Sequence, residues 1–311
     1  MKKYHVIMAI VLMTLTGCAT KTEFFFLNRW IVMDKNTEQL LDREFLPITV
    51  LRYRWLSPTE AVVYGMDEQQ KRGCWLWDGW RKTFSSLDED IQGFDVSGKT
   101  LLLMGSTWDN GYTLKLGKIH KKSFVSQKSI LFPFIPQNSL GVDGGFYLSA
   151  RDDAGLRRVF FVSLAGELQE VLVLSNTMAT LRFLRVNKRP LVYTSYEKEK
   201  EPSLYAFVDN PSPKWQNFPI EGTIGQKAVS LSEAIGFVLM REGKNFWAVC
   251  DTNMQPLTTG PEWRALIFEE LFDNLDKTQG VFLCLLPDEK RSTLMVFRWE
   301  ENQWRWKSFA P

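Results

Sequence analysis

Residues Phe94 to Ile119 read FDVSGKTLLLMGSTWDNGYTLKLGKI, and this stretch decides the fold. Two apolar runs, TLLLMG and YTLKLGKI, are separated by turn-forming residues, and a shorter run precedes them. Short runs with turn residues between them are typical of antiparallel β-strands. Runs like TLLLMG recur along the chain, so the protein is built from a repeated unit. These runs begin at Ala61, Thr100, Phe146, Leu191, Ala234 and Gly280.

The spacing of the runs is nearly constant, because successive starts are 39, 46, 45, 43 and 46 residues apart. Each run is followed by a second β-like run and preceded by a third, and a weaker fourth closes several units. One four-stranded sheet cannot bury both of its faces alone, so such units stack around an axis as the blades of a β-propeller. A β-sandwich would not repeat the same order of strands six times. We therefore expect an all-β fold with six full four-stranded blades.

Two of the units, Phe94 to Ile119 and Ile235 to Gly260, resemble the TolB-type propeller repeat. In that repeat a turn similar to Ser-Pro-Asp-Gly follows one strand, and the third strand ends in an aspartate. The matching turns are SPTE (Ser57 to Glu60), VSGK (Val96 to Lys99) and VDGG (Val142 to Gly145). The matching aspartates are Asp78, Asp209 and Asp251. The resemblance implies a propeller architecture from Ile48 to about Phe309, and it implies no particular activity.

Residues 24–46 also need a place in this architecture. The segment RWIVMDKNTEQLLDREF resembles the third and fourth strands of a repeat, with Asp34 at the end of the third. We expect a propeller domain over 24–311, made of six full blades and an N-terminal hairpin. The hairpin either forms a partial seventh blade or seals the ring edge-on to the last blade, since open sheet edges favour aggregation.

The N-terminus has the features of a secretory signal. Lys2 and Lys3 form a positive region, and Val6 to Leu15 form an apolar region that is too short to span a bilayer. The sequence LTGC that follows resembles the lipobox of bacterial lipoproteins, which implies cleavage after residue 17 and lipidation of Cys18. Residues 18–23 are then a lipidated linker. With alanine next to the cysteine, the resemblance implies an outer-membrane protein with a periplasmic body, and surface exposure stays open.

The charge of the chain argues against nucleic acid as a partner. The formal net charge is +2, and it falls to about zero without the two lysines of the signal. Binding to nucleic acid depends on clustered Lys and Arg that neutralise phosphates. The one basic cluster, KLGKIHKK from Lys115 to Lys122, is interpreted as a solvated strand end.

The octapeptide GFDVSGKT, Gly93 to Thr100, matches the phosphate-loop pattern G-x-x-x-x-G-K-[ST]. A phosphate loop must open a helix whose N-terminal amides hold the phosphates. Here Gly105 and Gly111 interrupt the following residues, and the motif occupies the turn position of the repeat. We therefore expect Gly98 in a hairpin turn and no bound nucleotide.

Histidine and cysteine counts limit the remaining chemistry. His120 is the one histidine outside the signal, which disfavours Ser-His-acid triads and histidine-rich metal sites. We expect neither a metal nor a cofactor. Cys74, Cys250 and Cys284 are an odd number in an oxidising compartment, and the last two lie in apolar runs. They are interpreted as buried thiols rather than as a disulfide.

Partner binding is predicted at the loop STWDNG, where Trp108 stands beside Asp109 and Asn110. A tryptophan next to a tight turn can anchor a protein partner, and the alternative is that it packs on a neighbouring blade. Three other tryptophans lie in or just after a predicted strand and are interpreted as packing residues. They are Trp75, Trp77 and Trp80.

Two function classes follow from this reading. The first is a lipid-anchored envelope propeller that binds or organises other envelope proteins without catalysis. The alternative is an enzyme that processes glycans or peptides with a pair of carboxylates in the central channel. The first strands of the units should line that channel, and Asp95 and Asp143 are the best-placed acids there.

Overall fold

The computed structural model describes residues 21–26, 28–34, 40–106, 111–175, 178–196, 202–230, 234–259, 267–269, 281–287, 292–300 and 303–309. Within these ranges every regular element is a β-strand. None of the residues described forms a helix of the length and apolarity that a membrane crossing requires.

A three-stranded antiparallel sheet comes first, and we call it blade 1. It consists of β1 (Lys21–Phe26), β2 (Arg29–Asp34) and β3 (Leu40–Phe45).

Six four-stranded antiparallel sheets follow, each made of strands that are consecutive in the chain, and they are blades 2 to 7. Blade 2 contains β4 (Thr49–Ser57), β5 (Glu60–Met66), β6 (Arg72–Asp78) and β7 (Thr83–Glu89). Blade 3 contains β8 (Ile91–Ser97), β9 (Thr100–Ser106), β10 (Tyr112–His120) and β11 (Ser123–Phe132). Blade 4 contains β12 (Ile135–Val142), β13 (Gly145–Arg151), β14 (Arg157–Ser163) and β15 (Leu168–Leu174).

The last three blades have the same order of strands. Blade 5 contains β16 (Thr180–Val186), β17 (Arg189–Ser195), β18 (Leu204–Phe207) and β19 (Gln216–Asn217). Blade 6 contains β20 (Thr223–Ser230), β21 (Ala234–Arg241), β22 (Lys244–Asp251) and β23 (Pro256–Thr259). Blade 7 contains β24 (Ile267–Glu269), β25 (Val281–Pro287), β26 (Ser292–Glu300) and β27 (Gln303–Phe309).

Successive blades meet through their first strands, because β8 packs on β12, β12 on β16 and β16 on β20. Four-stranded sheets that stack in sequence order along their innermost strands form a β-propeller. The predicted all-β fold with six full blades is therefore confirmed.

Blade 1 has one strand more than the hairpin predicted from the sequence. The extra strand, β1, begins at Lys21, inside the segment 18–23 that was expected to be a linker. The described strands of blade 1 pair with one another and with no strand of blade 7. Two arrangements were expected for the hairpin, a partial blade in addition to the six full ones or an edge-on seal to the last blade. The structure has the partial blade, which is blade 1.

Adjacent residues of a central strand lie in two different cores, which explains why these strands are apolar without alternation. Val62 and Val63 on β5 are both fully buried. Val62 packs with Phe94 and other residues of blade 3, whereas Val63 packs with Phe25 of blade 1 and its neighbours. Because successive side chains point to opposite faces of a sheet, each blade buries both faces against its two neighbours.

The close approach of β8 and β12 depends on a glycine. A Cβ at Gly141 on β12 would lie 1.9 Å from the carbonyl oxygen of Val96 on β8. We expect Gly141→Ala to lower the free energy of unfolding by about 1–3 kcal/mol in denaturant titrations, since the two blades must separate. The matched control is Gly105→Ala, where the nearest atom would be 3.8 Å away. Equal stability of the two variants would contradict this contact.

Candidate functional site

The innermost strands carry polar side chains that join neighbouring blades. The Arg52 guanidinium on β4 forms an ion pair with Asp95 on β8 and donates a 2.8 Å hydrogen bond to the carbonyl of Ser139 on β12. Arg54 lies 3.5 Å from the other oxygen of Asp95. One carboxylate and two arginines therefore connect blades 2, 3 and 4.

A similar set of contacts connects blades 4 and 5. Asn138 on β12 donates to the carbonyl of Leu181 at 2.8 Å and accepts a 3.0 Å hydrogen bond from Arg182 on β16. Arg185 on the same strand donates to the carbonyl of Gly141. We call the surface formed by the innermost strands β4, β8, β12 and β16 the inner wall. Together these strands contain four arginines and one acidic residue, so the inner wall is basic.

The two acids predicted for the channel have different surroundings. The Asp95 side chain is 2% exposed and is held between two arginines. Asp143 is exposed in the turn between β12 and β13, where it lines a cleft of about 460 Å³ together with Arg185, Lys188 and Asp209. Asp95 therefore belongs to an ion pair that joins blades, whereas Asp143 lies at the surface. A sequence signal for the ion pair was present, since Arg52 and Arg54 are two apart and lie on one face of β4.

Several predicted site residues lie outside the described residues. They are the lipidation site Cys18 and the loop residues Trp108, Asp109 and Asn110. Lipid attachment at the first and partner binding at the other three stay predictions.

Of the three tryptophans interpreted as packing residues, two pack and one does not. Trp77 is 1% exposed, and Trp75 is partly buried against the same core. Trp80 is 82% exposed, so that part of the interpretation was wrong. The physical reason is that β6 ends at Asp78. The Asp78 carboxylate accepts hydrogen bonds from the backbone amides of Trp80 at 3.1 Å and Arg81 at 3.2 Å. This local turn directs the indole outward.

The turn that carries Trp80 is held from three sides. Besides the contacts of Asp78, the backbone amide of Gly79 donates to the carbonyl of Thr59 at 2.7 Å. The ammonium of Lys122, on blade 3, donates to the Asp78 carboxylate at 2.8 Å and lowers the pKa of that carboxyl. An exposed tryptophan on a fixed turn is preorganised for contact, because little conformational freedom is lost on binding.

A second exposed aromatic side chain lies at the end of β3 in blade 1. Phe45, at the end of β3, is 69% exposed, and the Arg29 guanidinium lies 4.9 Å from the centre of its ring. Lys82 in the Trp80 turn contacts the carboxylate of Glu44, the residue before Phe45. This contact places the Trp80 turn beside the end of β3. Glu44 and Phe45 are adjacent on β3 and point to opposite faces of the sheet, so the Phe45 ring lies on the face of blade 1 that is turned away from Trp80. We call the exposed Trp80 indole and its turn the aromatic patch.

The described cysteines are buried and free, as the sequence predicted. Cys74 and Cys250 are 0% exposed, and neither forms a disulfide. Burial raises the pKa of the Cys74 thiol well above its usual value and raises that of Cys250 to about 12. Cys284 falls on β25, for which only the backbone is described.

Both thiols should be inert in the folded protein, because the reactive thiolate is absent and the sulfur is covered. In a Cys18→Ser, Cys284→Ser variant, we expect no labelling by a disulfide reagent at pH 8 in buffer. Both remaining thiols should be labelled once denaturant unfolds the chain. Rapid labelling of either one in buffer would show that it is not buried.

No protein-family model and no curated protein sequence matches the chain. Similarity appears among solved structures. The β-propeller domain of the Trilobed protease from Pyrococcus furiosus superposes with a TM-score of 0.60 at 13% identity, over 93% of this chain and 92% of that one. Kluyveromyces lactis Hsv2 superposes at 0.53 and 10% identity, over 93% and 94%.

An acylaminoacyl peptidase from Pyrococcus horikoshii superposes with a TM-score of 0.60 at 12% identity, over 92% of this chain and 49% of that one. The chain thus spans about half the length of that peptidase. Identities this low bear on architecture alone. By its sheets and by these likenesses, the chain is an all-β β-propeller protein.

Proposed function

We propose that the protein is a lipid-anchored β-propeller of the bacterial envelope that binds a protein partner without catalysis. The observation that carries the binding function is Trp80, exposed on a turn that Asp78, Thr59 and Lys122 hold in place. Tryptophans in such settings supply a large share of binding energy at protein interfaces. Lys82 on the same turn, which contacts Glu44 of blade 1, provides a polar rim.

The anchor and the location rest on the sequence. LTGC, ending at Cys18, resembles a lipobox, and its neighbour Ala19 supports sorting to the outer membrane with the propeller in the periplasm. A tethered propeller gains from its anchor, because restriction to a surface raises the effective concentration of a partner held at the same membrane.

The partner site predicted from the sequence is the loop of Trp108, Asp109 and Asn110. The strand ends on either side of it, Ser106 of β9 and Tyr112 of β10, lie at the opposite end of a blade from the β6–β7 turn that carries Trp80. Separate variants at the two tryptophans therefore test the two predicted sites independently.

The test is capture of the full-length protein from cells after in-cell crosslinking. Wild type should recover one envelope protein reproducibly. Trp80→Ala should lose it if the aromatic patch is the interface, and Trp108→Ala if the loop of Trp108 is. Cys18→Ala should reduce recovery through loss of the anchor. Equal recovery by all three variants would reject the proposal.

A second candidate is a peptide-processing enzyme, which the likeness to peptidase structures favours. Its carboxylates would be Asp143 and Asp209, which line the same cleft of about 460 Å³. The Asp209 carboxylate is bound by Arg189 at 2.9 and 3.1 Å, and Asp95 is bound by Arg52 and Arg54. Turnover of a peptide by the wild type that Asp143→Asn abolishes would establish this candidate instead.

A further inference from the structure

The sequence motif Gly98-Lys99-Thr100 and the basic run that ends at Lys122 meet at one cleft between blades 2 and 3. The cleft has a volume of about 450 Å³ and lies between three hairpin turns: β4–β5, β8–β9 and β10–β11. Volumes of this size are typical of sites that hold a small molecule. We call it the lysine cleft.

Four lysines line the cleft, and Glu60 is the one acidic residue among its described lining residues. These lysines are Lys99, Lys118, Lys121 and Lys122. Lys122 is paired with Asp78 at 2.8 Å, whereas the other three form no ion pair with any residue that the structure describes. Three exposed like charges around one cleft repel one another, and a bound anion would remove that repulsion.

The floor of the cleft is apolar. Leu56, Val96 and Ile119 contribute partly exposed side chains to it, on the edge of the core that blades 2 and 3 share. An inorganic anion would contact the lysines but would leave this floor in water. Burial of the floor needs a ligand with an apolar part.

The β10–β11 turn holds two of the lysines in an unfavourable backbone conformation. Lys121 has φ 49° and Lys122 has φ 68°, in the left-handed region that glycine and asparagine prefer. Two-residue hairpin turns of this kind favour Asn-Gly, so the lysines carry a conformational cost. Such costs concentrate at positions with a function.

We propose that the lysine cleft binds small anions with a compact apolar body, namely carboxylates or phosphate monoesters of aromatic or short aliphatic groups. The apolar body lies on Leu56, Val96 and Ile119, and the anionic group is bound by Lys99, Lys118 and Lys121. The cleft shares Lys122 with the contacts that hold the Trp80 turn, but the three lysines that bind the anion form no ion pair with that turn. The proposal therefore does not depend on the proposed partner binding.

Titration calorimetry on the full chain tests the proposal with four probes. 1-Naphthyl phosphate and 1-naphthoate should bind, and the tighter of the two identifies the preferred anionic group. Inorganic phosphate lacks the body, and 1-naphthylmethylammonium carries the opposite charge, so both should bind at least about tenfold more weakly. Higher salt should weaken binding of the anions.

A pair of variants with equal change in charge locates the site. Lys99→Gln with Lys121→Gln should weaken binding of naphthyl phosphate about tenfold, since two favourable charge contacts are lost. Lys71→Gln with Lys214→Gln removes two exposed lysines elsewhere and should leave affinity within about twofold. All four positions are exposed, so folding is expected to be unaffected. Equal binding by the two double variants, or binding of the cation as tight as that of the anions, would overturn the proposal.

Discussion

Asp95→Asn is expected to lower the free energy of unfolding by about 3 kcal/mol, because it leaves two arginines of the inner wall without their carboxylate. Asp95 is 2% exposed as a side chain, while Arg52 and Arg54 are 23% and 16% exposed. This partial exposure sets the effect at the lower end of the range for broken buried pairs. Thermal unfolding should show a midpoint lower by about 5 °C.

Asp143→Asn is the matched control, because Asp143 has the same side chain in an exposed turn of the next blade. It should change stability by no more than about 0.5 kcal/mol. If the two variants unfolded at the same denaturant concentration, the ion pair that joins blades 2 and 3 would not hold the inner wall together.

Trp77→Ala is expected to lower the free energy of unfolding by about 3–5 kcal/mol, as is usual for removal of a buried large aromatic side chain. Trp77 is 1% exposed and contacts rings on three other strands. Ring centroids of Phe25, Trp30 and Phe84 lie 5.6, 5.9 and 4.8 Å from its own. Since Phe25 and Trp30 belong to blade 1, the variant should also loosen the partial blade, which hydrogen exchange would detect.

Trp80→Ala supplies the control from the same hairpin. Its indole is 82% exposed, so the variant should keep wild-type stability within about 0.5 kcal/mol. Similar losses for both tryptophans would contradict the placement of Trp77 in the core. If Trp80→Ala is as stable as the wild type, a loss of partner binding in this variant results from the changed surface and not from unfolding.

Sequence periodicity was sufficient to predict the blades. Runs such as TLLLMG and AIGFVLMR are apolar at nearly every position, because each central strand is covered on both faces, and this made the unit visible. The first strand, KTEFFF, was missed because it is short and begins only three residues after Cys18 of the lipobox. Its polar half, Lys21 to Glu23, was assigned to the linker, and Phe24 to Phe26 were placed in the propeller domain without a strand. Repetition could not reveal it, since blade 1 lacks a fourth strand.

The contacts of the inner wall were predictable only in part. Arg52 and Asp95 are 43 residues apart, and Arg52 and Ser139 are 87 apart, close to one and two repeats. Equivalent positions of successive units meet at the inner wall, so this spacing was a usable signal. The outward direction of Trp80 was not predictable in the same way, because it depends on where β6 ends and on the hydrogen bonds that Asp78 makes.

Site-specific photocrosslinking in cells tests whether the aromatic patch binds a protein partner. A photoreactive residue replaces Trp80 in one full-length variant and Leu131, which is 75% exposed on β11, in another. We expect a single crosslinked envelope protein from position 80 and none from position 131. No product from position 80, or the same products from both positions, would contradict a partner-binding function of the aromatic patch.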